Sequence, residues 1–455
     1  MWHRYRLRVL VLLMLGLLYG AMIQKYRAYD VDDPWVLSYS YNACHGGGEE
    51  DAFTGFPFAY GGMDGVHLFG KVPAAVQCIV LNRTGWTLWS AVCLSIAFGL
   101  GALLLWWLFL LRLGYRDKQI AVFISLLGLT EPIMSLMEKA RYEFLSFFLL
   151  SAALWLGVQG WELAALLLAM LTVETHPASI AIVVPVMLLL LLRTKSIKLL
   201  LFRFLASGIV MFALYQYLHP VAILEMVHTR QHTEIALGGT LRSYFIMRYR
   251  HLPELAMLLV GAWLYWRERA RISDRTIAWM ALAVAVMLFL IPHLNPAYMV
   301  FGMPFFLLTA LQGYGQAPHW RWVPALVFAG IILQYGYLYR TNIHEGFSAQ
   351  DFAAVRQRIA DSESILHIQD QDAHICGDYS LWFAHPRNYS TCMISWQPVK
   401  LAEGNLFLCF DGPSQGNGLL PPETPYCSDR REEAPLHEIS SMVIRGHVLH
   451  FYARS

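Results

Sequence analysis

Apolar runs recur along the chain at residues 7–23, 85–111, 119–136, 142–159, 161–173, 177–192, 199–218, 253–266, 276–292, 297–312 and 322–339. A helix rising about 1.5 Å per residue needs about 20 apolar residues to cross the hydrocarbon core of a bilayer. The pattern therefore predicts an α-helical polytopic membrane protein with about 11 transmembrane helices. The runs at 161–173, 253–266 and 297–312 fall short of that length, so a tilted helix, a re-entrant segment or wider true boundaries is expected there. Polar stretches interrupt the series at 24–84 and 219–252 and follow it after 340. The expected organisation is a transmembrane domain over 1–340, with 24–84 as its first external loop and 219–252 as a basic external segment, then an extracytoplasmic domain over 341–455.

Charge placement assigns sides. Arg4, Arg6 and Arg8 precede the first run, and no small-residue cleavage site precedes Gln24-Lys25-Tyr26-Arg27, which suits an uncleaved anchor with its N-terminus inside. Loops 112–118, 193–198 and 267–275 are basic, whereas Glu174-Thr175-His176 and His293-Leu294-Asn295 carry no Lys or Arg. This alternation is the positive-inside pattern, and an odd number of crossings then leaves the tail outside. Of seven cysteines, Cys44 and Cys78 fall in the first loop, Cys376, Cys392, Cys409 and Cys427 in the tail, and Cys93 within a run. Even numbers in two external regions suit disulfides in an oxidising compartment, with buried free thiols as the alternative and the pairing within the tail open. Short apolar runs in the tail, such as Ser364-Ile365-Leu366-His367-Ile368 and Met442-Val443-Ile444, alternate with Gly, Pro and Asn and predict a small α/β domain.

Composition narrows the class further. With 57% hydrophobic and 15% charged residues and a mean hydropathy of +0.44, a soluble protein is excluded. A net charge of +2, with basic residues in short clusters beside apolar runs, gives no basis for nucleic-acid binding. The chain carries no phosphate-binding Gly loop, paired CxxC, HExxH motif or solenoid repeat.

Several polar constellations can carry chemistry. Asp32-Asp33-Pro34-Trp35 lies just beyond the first run, where one carboxylate can cap a helix starting at Pro34 while the other faces a site. A plain N-cap followed by an amphipathic stretch, Trp35-Val36-Leu37-Ser38-Tyr39, is the structural alternative. Glu49, Glu50 and Asp51 follow three glycines, and Glu50 or Asp51 can bind a divalent metal or orient an acceptor hydroxyl, unless the turn is simply solvated. Arg141 can pair with Glu138 on a helix surface, whereas Glu143 runs straight into an apolar stretch and is expected to face a cavity or a partner. Glu174 and His176 place a carboxylate and an imidazole at one turn, where they can hold a phosphate or share a proton, or merely sit at the interface. The segment 241–251 reads as an amphipathic interfacial helix in which Arg242, Arg248 and Arg250 break the positive-inside pattern. These arginines suit an anionic group, with passive lipid contact as the alternative.

Taken together, these residues resemble the GT-C superfamily of integral membrane glycosyltransferases that use polyprenyl-phosphate-linked sugars. The resemblance rests on Asp32-Asp33 after the first run, Arg141-Tyr142-Glu143, His176-Pro177, and the turn from Pro292 through His293 to Tyr298 ahead of a run bearing Pro304. It implies a catalytic base or metal ligand at Asp32 or Asp33. Substrate contacts are then expected among Glu50, Asp51, Arg141, Glu143, His176, Arg242, Arg248, Arg250, His293 and Tyr298. It also implies a polyprenyl-phosphate-sugar donor, a lipid, glycan or protein acceptor, inversion at the anomeric carbon, and a bacterial inner-membrane location with the active face toward the periplasm. No cofactor is certain, and a divalent metal stays an open option. A lipid-carrier transporter or flippase, or a noncatalytic scaffold, would share the many apolar runs. Internally repeated halves are missing, and the charges cluster toward one membrane face rather than its midplane. The expectation that follows is spatial: an acid of the first loop and cations of 219–252 should meet in one cleft.

Overall fold

The computed structural model describes residues 2–23, 32–46, 70–175, 179–194, 196–218, 252–272, 275–290, 298–320, 322–345, 348–366, 375–377, 379–386, 389–391, 406–411, 436–444 and 446–454. In chain order the helices are α1 (Trp2–Met22), α2 (Asp32–His45), α3 (Lys71–Thr84), α4 (Leu88–Arg112), α5 (Asp117–Leu129), α6 (Glu131–Met137), α7 (Glu143–Gln159), α8 (Glu162–Thr175), α9 (Ile180–Arg193), α10 (Ile197–Leu218), α11 (Leu252–Arg267), α12 (Thr276–Leu290), α13 (Met299–Gln316), α14 (Val323–Glu345) and α15 (Ala349–Ile365). The strands are β1 (Ile375–Gly377), β2 (Tyr389–Thr391), β3 (Leu406–Phe410), β4 (Leu436–Ile444) and β5 (His447–Arg454). Two compact units result, one from Met1–Ala21, Leu68–Pro73 and Cys93–Tyr337, the other from Met22–His67, Ala74–Val92 and Leu338–Ser455.

Each apolar run of the sequence falls on a helix, but the number of membrane crossings is another matter. Among the described residues, only α4 and α10 are both long and apolar enough to cross a bilayer, and the bent pair α5–α6 makes a third. Several other apolar helices are shorter: α8 and α9 have 14 residues each and α12 has 15. The bend of 67° between α5 and α6 has a local cause. Thr130 is extended (φ −66°, ψ 145°), and Pro132 in the first turn of α6 lacks the N–H that an unbroken helix would need.

The first unit is held by aromatic packing and a few specific bonds. Trp106 of α4 lies 5.2 Å from Phe305 of α13, 5.3 Å from Phe109 and 6.0 Å from Phe123 of α5, ring centre to ring centre. The hydroxyl of Tyr19 donates to the carbonyl of Gly128 at 2.7 Å, tying α1 to α5. At the other end of the same pair, Arg8 grips Asp117 (3.0 Å), which also accepts from the Trp107 indole at 2.8 Å. α11 and α13 cross closely enough that a Cβ on Gly313 would stand 2.2 Å from the carbonyl oxygen of Gly261 and 2.6 Å from the Tyr265 nitrogen. Small residues at such a crossing let backbones approach where lipid supplies no hydrophobic drive.

In the second unit, the polar loop expected after α1 contains two helices. α2 and α3 are joined by a disulfide between Cys44 and Cys78 and by a bond from the Ser40 hydroxyl to Gln77 Oε1 at 2.7 Å. Cys409 on β3 is also disulfide-bonded, whereas Cys93 is a free, exposed thiol. The tail forms a mixed five-stranded sheet in the order β2-β1-β3-β5-β4, parallel around β1 and antiparallel from β3 onward. α15 begins with a capping box in which Ser348 and Asp351 satisfy each other's backbone N–H groups, at 2.6 and 3.3 Å. It packs on the sheet through Ser362 and Ser440, and its Phe352 stacks near Phe383 and Trp89, both at 5.9 Å. Arg356 donates to the carbonyls of Ala384 and Phe383, closing the short turn Tyr379–Ala384.

His447 on β5 is buried near the Phe410 ring, and this burial holds its imidazole below the ordinary value of 6.5. Its folded pKa is the lower one, so the unfolded chain takes up the proton first. The stability this group leaves intact above about pH 6.5 is lost as pH falls through 6.5 toward the folded pKa. Thermal melts of the purified protein from about pH 7.5 to about pH 5.5 should show a falling midpoint, and His447→Leu should flatten that fall.

Candidate functional site

The densest set of buried polar groups in the first unit sits where α7 begins and α8 ends. Tyr142 precedes α7, and Glu143 is the helix's first residue, only 2% exposed. An anion there faces the unpaired N–H groups and positive dipole of the helix start. Arg141 adds a two-pronged pair, Nη2 to Oε1 at 2.6 Å and Nε to Oε2 at 3.2 Å. Glu143, expected to face a cavity or a partner, thus pairs with Arg141 two residues away. One turn further, Ser146 hydrogen-bonds Thr175 at the end of α8, which donates in turn to the Thr172 carbonyl at 2.6 Å. Ser179, ahead of α9, also donates to that carbonyl.

Glu174, buried near the end of α8, reaches a distant part of the chain. Its Oε1 accepts the backbone N–H groups of Lys71 at 2.7 Å and Val72 at 3.2 Å, and its Oε2 lies 3.3 Å from the latter. This carboxylate caps α3 from another helix about one hundred residues away. Gly70 permits the approach, since a Cβ there would stand 2.0 Å from the Glu174 carbonyl oxygen. Buried Glu254, near the start of α11, works similarly and accepts the N–H of Glu131 at the start of α6 at 3.3 Å.

In the second unit, Asp33 occupies the first turn of α2 and is 1% exposed, so its carboxyl group is held inside the protein next to a helix N-terminus. α2 starts at Asp32, slightly earlier than the Pro34 start expected, and Pro34 falls in its first turn. The stretch after it is not amphipathic: Val36, Leu37, Ser38, Tyr39 and Ser40 are all buried. Tyr41 stacks on His45 and meets Trp86 and Trp382 edge-on at 5.1 and 6.2 Å, giving α2 neighbours where an interfacial helix would have lipid.

Other expected site residues are placed less fully. Tyr298 is buried and immediately precedes α13. The side chain of Asp32, together with Glu50, Asp51, His176, Arg242, Arg248, Arg250 and His293, lies outside the described residues, so the expected meeting of first-loop acid and later cations does too. Among the described residues, no group of three or more His, Cys, Asp or Glu is arranged to hold a metal ion. Glu254, Ser146, Thr172 and Ser179 escaped sequence reasoning. The spacing of Glu143 and Ser146, and of Thr172 and Thr175, on single helix faces was the available signal.

A bundle of apolar helices with paired carboxylates buried at helix starts, continued in the chain by a small α/β domain, is a fold with a counterpart among solved membrane enzymes. The particular likeness is to the crystal structure of ArnT from Cupriavidus metallidurans bound to undecaprenyl phosphate, with a TM-score of 0.58 over 98% of this chain and 97% of that one, at 13% sequence identity. At that identity the likeness is one of fold. No protein-family model and no curated protein matches the sequence.

Gly70→Ala should destabilise the protein by about 2–3 kcal/mol, because neither the new methyl group nor the Glu174 backbone can move aside cheaply. Glu174→Gln keeps an acceptor for α3 but gives up the charge, so a smaller loss of about 1 kcal/mol is expected. Thermal unfolding of the two variants in one detergent checks the order; equal stability of wild type and Gly70→Ala would show that the close approach does not exist.

Proposed function

We propose that the protein is a membrane glycosyltransferase that moves a sugar from a polyprenyl-phosphate-linked donor to an acceptor hydroxyl. The observation that carries this is the full-length likeness of fold to ArnT bound to undecaprenyl phosphate. The apolar helices and the buried carboxylate of Asp33 support it.

In this reaction the acceptor oxygen attacks the anomeric carbon, the bond from that carbon to the lipid phosphate breaks, and the acceptor proton passes to a carboxylate. Asp33 is the base, with Asp32 as its alternate. A single displacement of this kind inverts the anomeric centre. The departing phosphate gains charge, and cations aimed at it lower the barrier. Arg242, Arg248 and Arg250 fill that role, with Arg141 and Glu143 as an ordered pair that orients a polar substrate group. His176, His293 and Tyr298 line the acceptor or donor path, and Glu50 or Asp51 supplies a second carboxylate. No step in this scheme passes through a metal. The disulfides suit an oxidising compartment and support an active face toward the periplasm of a bacterial inner membrane. The acceptor is a lipid, a glycan or a protein.

A transporter or flippase, the competing possibility, would move a lipid carrier without consuming it. Purified protein in lipid nanodiscs, given polyprenyl-phosphate-linked sugars and a membrane-lipid acceptor fraction, should release polyprenyl phosphate. Asp33→Asn should lower that rate about 100-fold or more, in line with removal of a general base. Absence of turnover with every donor, or full activity in Asp33→Asn and Asp32→Asn alike, would sink the assignment.

A further inference from the structure

A cavity of about 580 Å³ in the first unit belongs to none of the chemistry above. Its rim comes from three separate turns: the one at Tyr115 between α4 and α5, the one at Arg271 between α11 and α12, and the end of α13 at Gln312. Charge alternation along the sequence assigns the first two, in loops 112–118 and 267–275, to the inner membrane face, and the end of α13 meets them there. Phe123 and Leu308 contribute apolar wall, whereas Tyr115, Gln312 and Arg271 contribute polar atoms.

Two features of the rim specify a ligand. Gln312 donates to the Tyr115 hydroxyl at 2.6 Å, and its Oε1 is buried without a hydrogen-bond partner. A buried acceptor of that kind costs free energy until a donor reaches it. Arg271 supplies a cation that is 69% exposed, and its contact with Glu268 at 2.8 Å uses only part of the guanidinium. Glu268 is shared with Arg267 at 2.9 Å, and the loop holds four arginines, Arg267, Arg269, Arg271 and Arg275, against Glu268 and Asp274.

The rim also carries a depth marker. Exposed Trp263 and Trp266 lie beneath Arg267 and Arg269, with 4.8 and 4.1 Å between guanidinium carbon and ring centre. Exposed Trp320 and Trp322 follow α13 at the same end. Exposed Trp beside Arg is the pattern of a membrane interface, where the indole sits among lipid headgroups. We propose that this cavity binds the headgroup of an anionic glycerophospholipid, with the phosphate at Arg271, a headgroup hydroxyl donating to Gln312 Oε1, and the first acyl carbons along the apolar wall.

The test is lipid binding to the full-length protein in detergent by native mass spectrometry, with phosphatidylglycerol, phosphatidylcholine and undecaprenyl phosphate as probes. One phosphatidylglycerol should bind in preference to phosphatidylcholine, with about tenfold weaker binding in Arg271→Ala and in Gln312→Leu, and substantial recovery in Arg271→Lys. Arg271 is exposed, so its variants report on binding rather than folding. Equal binding of phosphatidylglycerol and phosphatidylcholine would identify ordinary annular lipid and overturn the proposal. So would preference for undecaprenyl phosphate, which has no headgroup hydroxyl of the glycerol kind, or unchanged binding in both Arg271→Ala and Gln312→Leu.

Discussion

Two groups that are each costly to bury alone cancel one another where Glu174 meets the start of α3. A helix start presents N–H groups with no partner in their own helix, and a carboxylate in an apolar surround lacks the water that would stabilise its charge. Bonds of 2.7 and 3.2 Å from Lys71 and Val72 satisfy both, and the favourable end of the helix dipole adds to them. The arrangement fixes where the chain comes back after its first long polar stretch. It also explains Gly70, because no side chain fits against the Glu174 carbonyl. The same helix carries Gln77 and Cys78, through which α2 and its Asp33 are held.

The same principle governs charge elsewhere in the first unit. Glu254 caps α6, Glu143 lies at the start of α7 with Arg141, Asp117 lies at the start of α5 with Arg8, and Glu162 at the start of α8 pairs with Arg203. Four of these five acids with Glu174, namely Glu143, Asp117, Glu162 and Glu254, sit within the first turn of a helix, where the dipole favours an anion. The partner of each is a guanidinium or a backbone N–H from another segment or the adjoining turn. In a bundle exposed to lipid, an unpaired charge at such a place would be far more expensive than in water. These pairs therefore select one arrangement of short helices that apolar contact alone would leave loosely defined.

What the sequence disclosed follows the same physics. Long apolar runs could be read as helices because that pattern needs only composition and length, and α4 and α10 are the clearest cases. The break at Thr130 was missed because the run 119–136 is apolar on both sides of the kink, and only the short Thr130-Glu131-Pro132 interruption hints at it. The start of α2 was legible near Pro34, whereas α3 stayed hidden in the first loop, since its polar residues outnumber those of a membrane helix. The burial of both helices comes from a disulfide, Ser40–Gln77 and aromatic contacts that no local pattern contains. Asp33 could be singled out by its position after the first run, but Glu174 could not be recognised as a cap. Its partner lies over one hundred positions earlier, and nothing at Lys71-Val72 advertises an incoming carboxylate.

The charge pattern also bears on which cation serves the proposed sugar transfer. Arg141 is the cation beside Glu143, yet two of its nitrogens are already engaged with that carboxylate. A guanidinium in that state is close to neutral as a pair and offers a phosphate little net attraction, although its remaining N–H groups can still orient a hydroxyl. Breaking the pair to free the arginine would leave Glu143 charged and buried, at a cost that binding would have to recover. Stabilising the developing charge on a departing lipid phosphate therefore falls, within this proposal, to Arg242, Arg248 and Arg250. Their crowding into one short polar segment on the side predicted to be poor in cations is otherwise a standing violation of the positive-inside pattern.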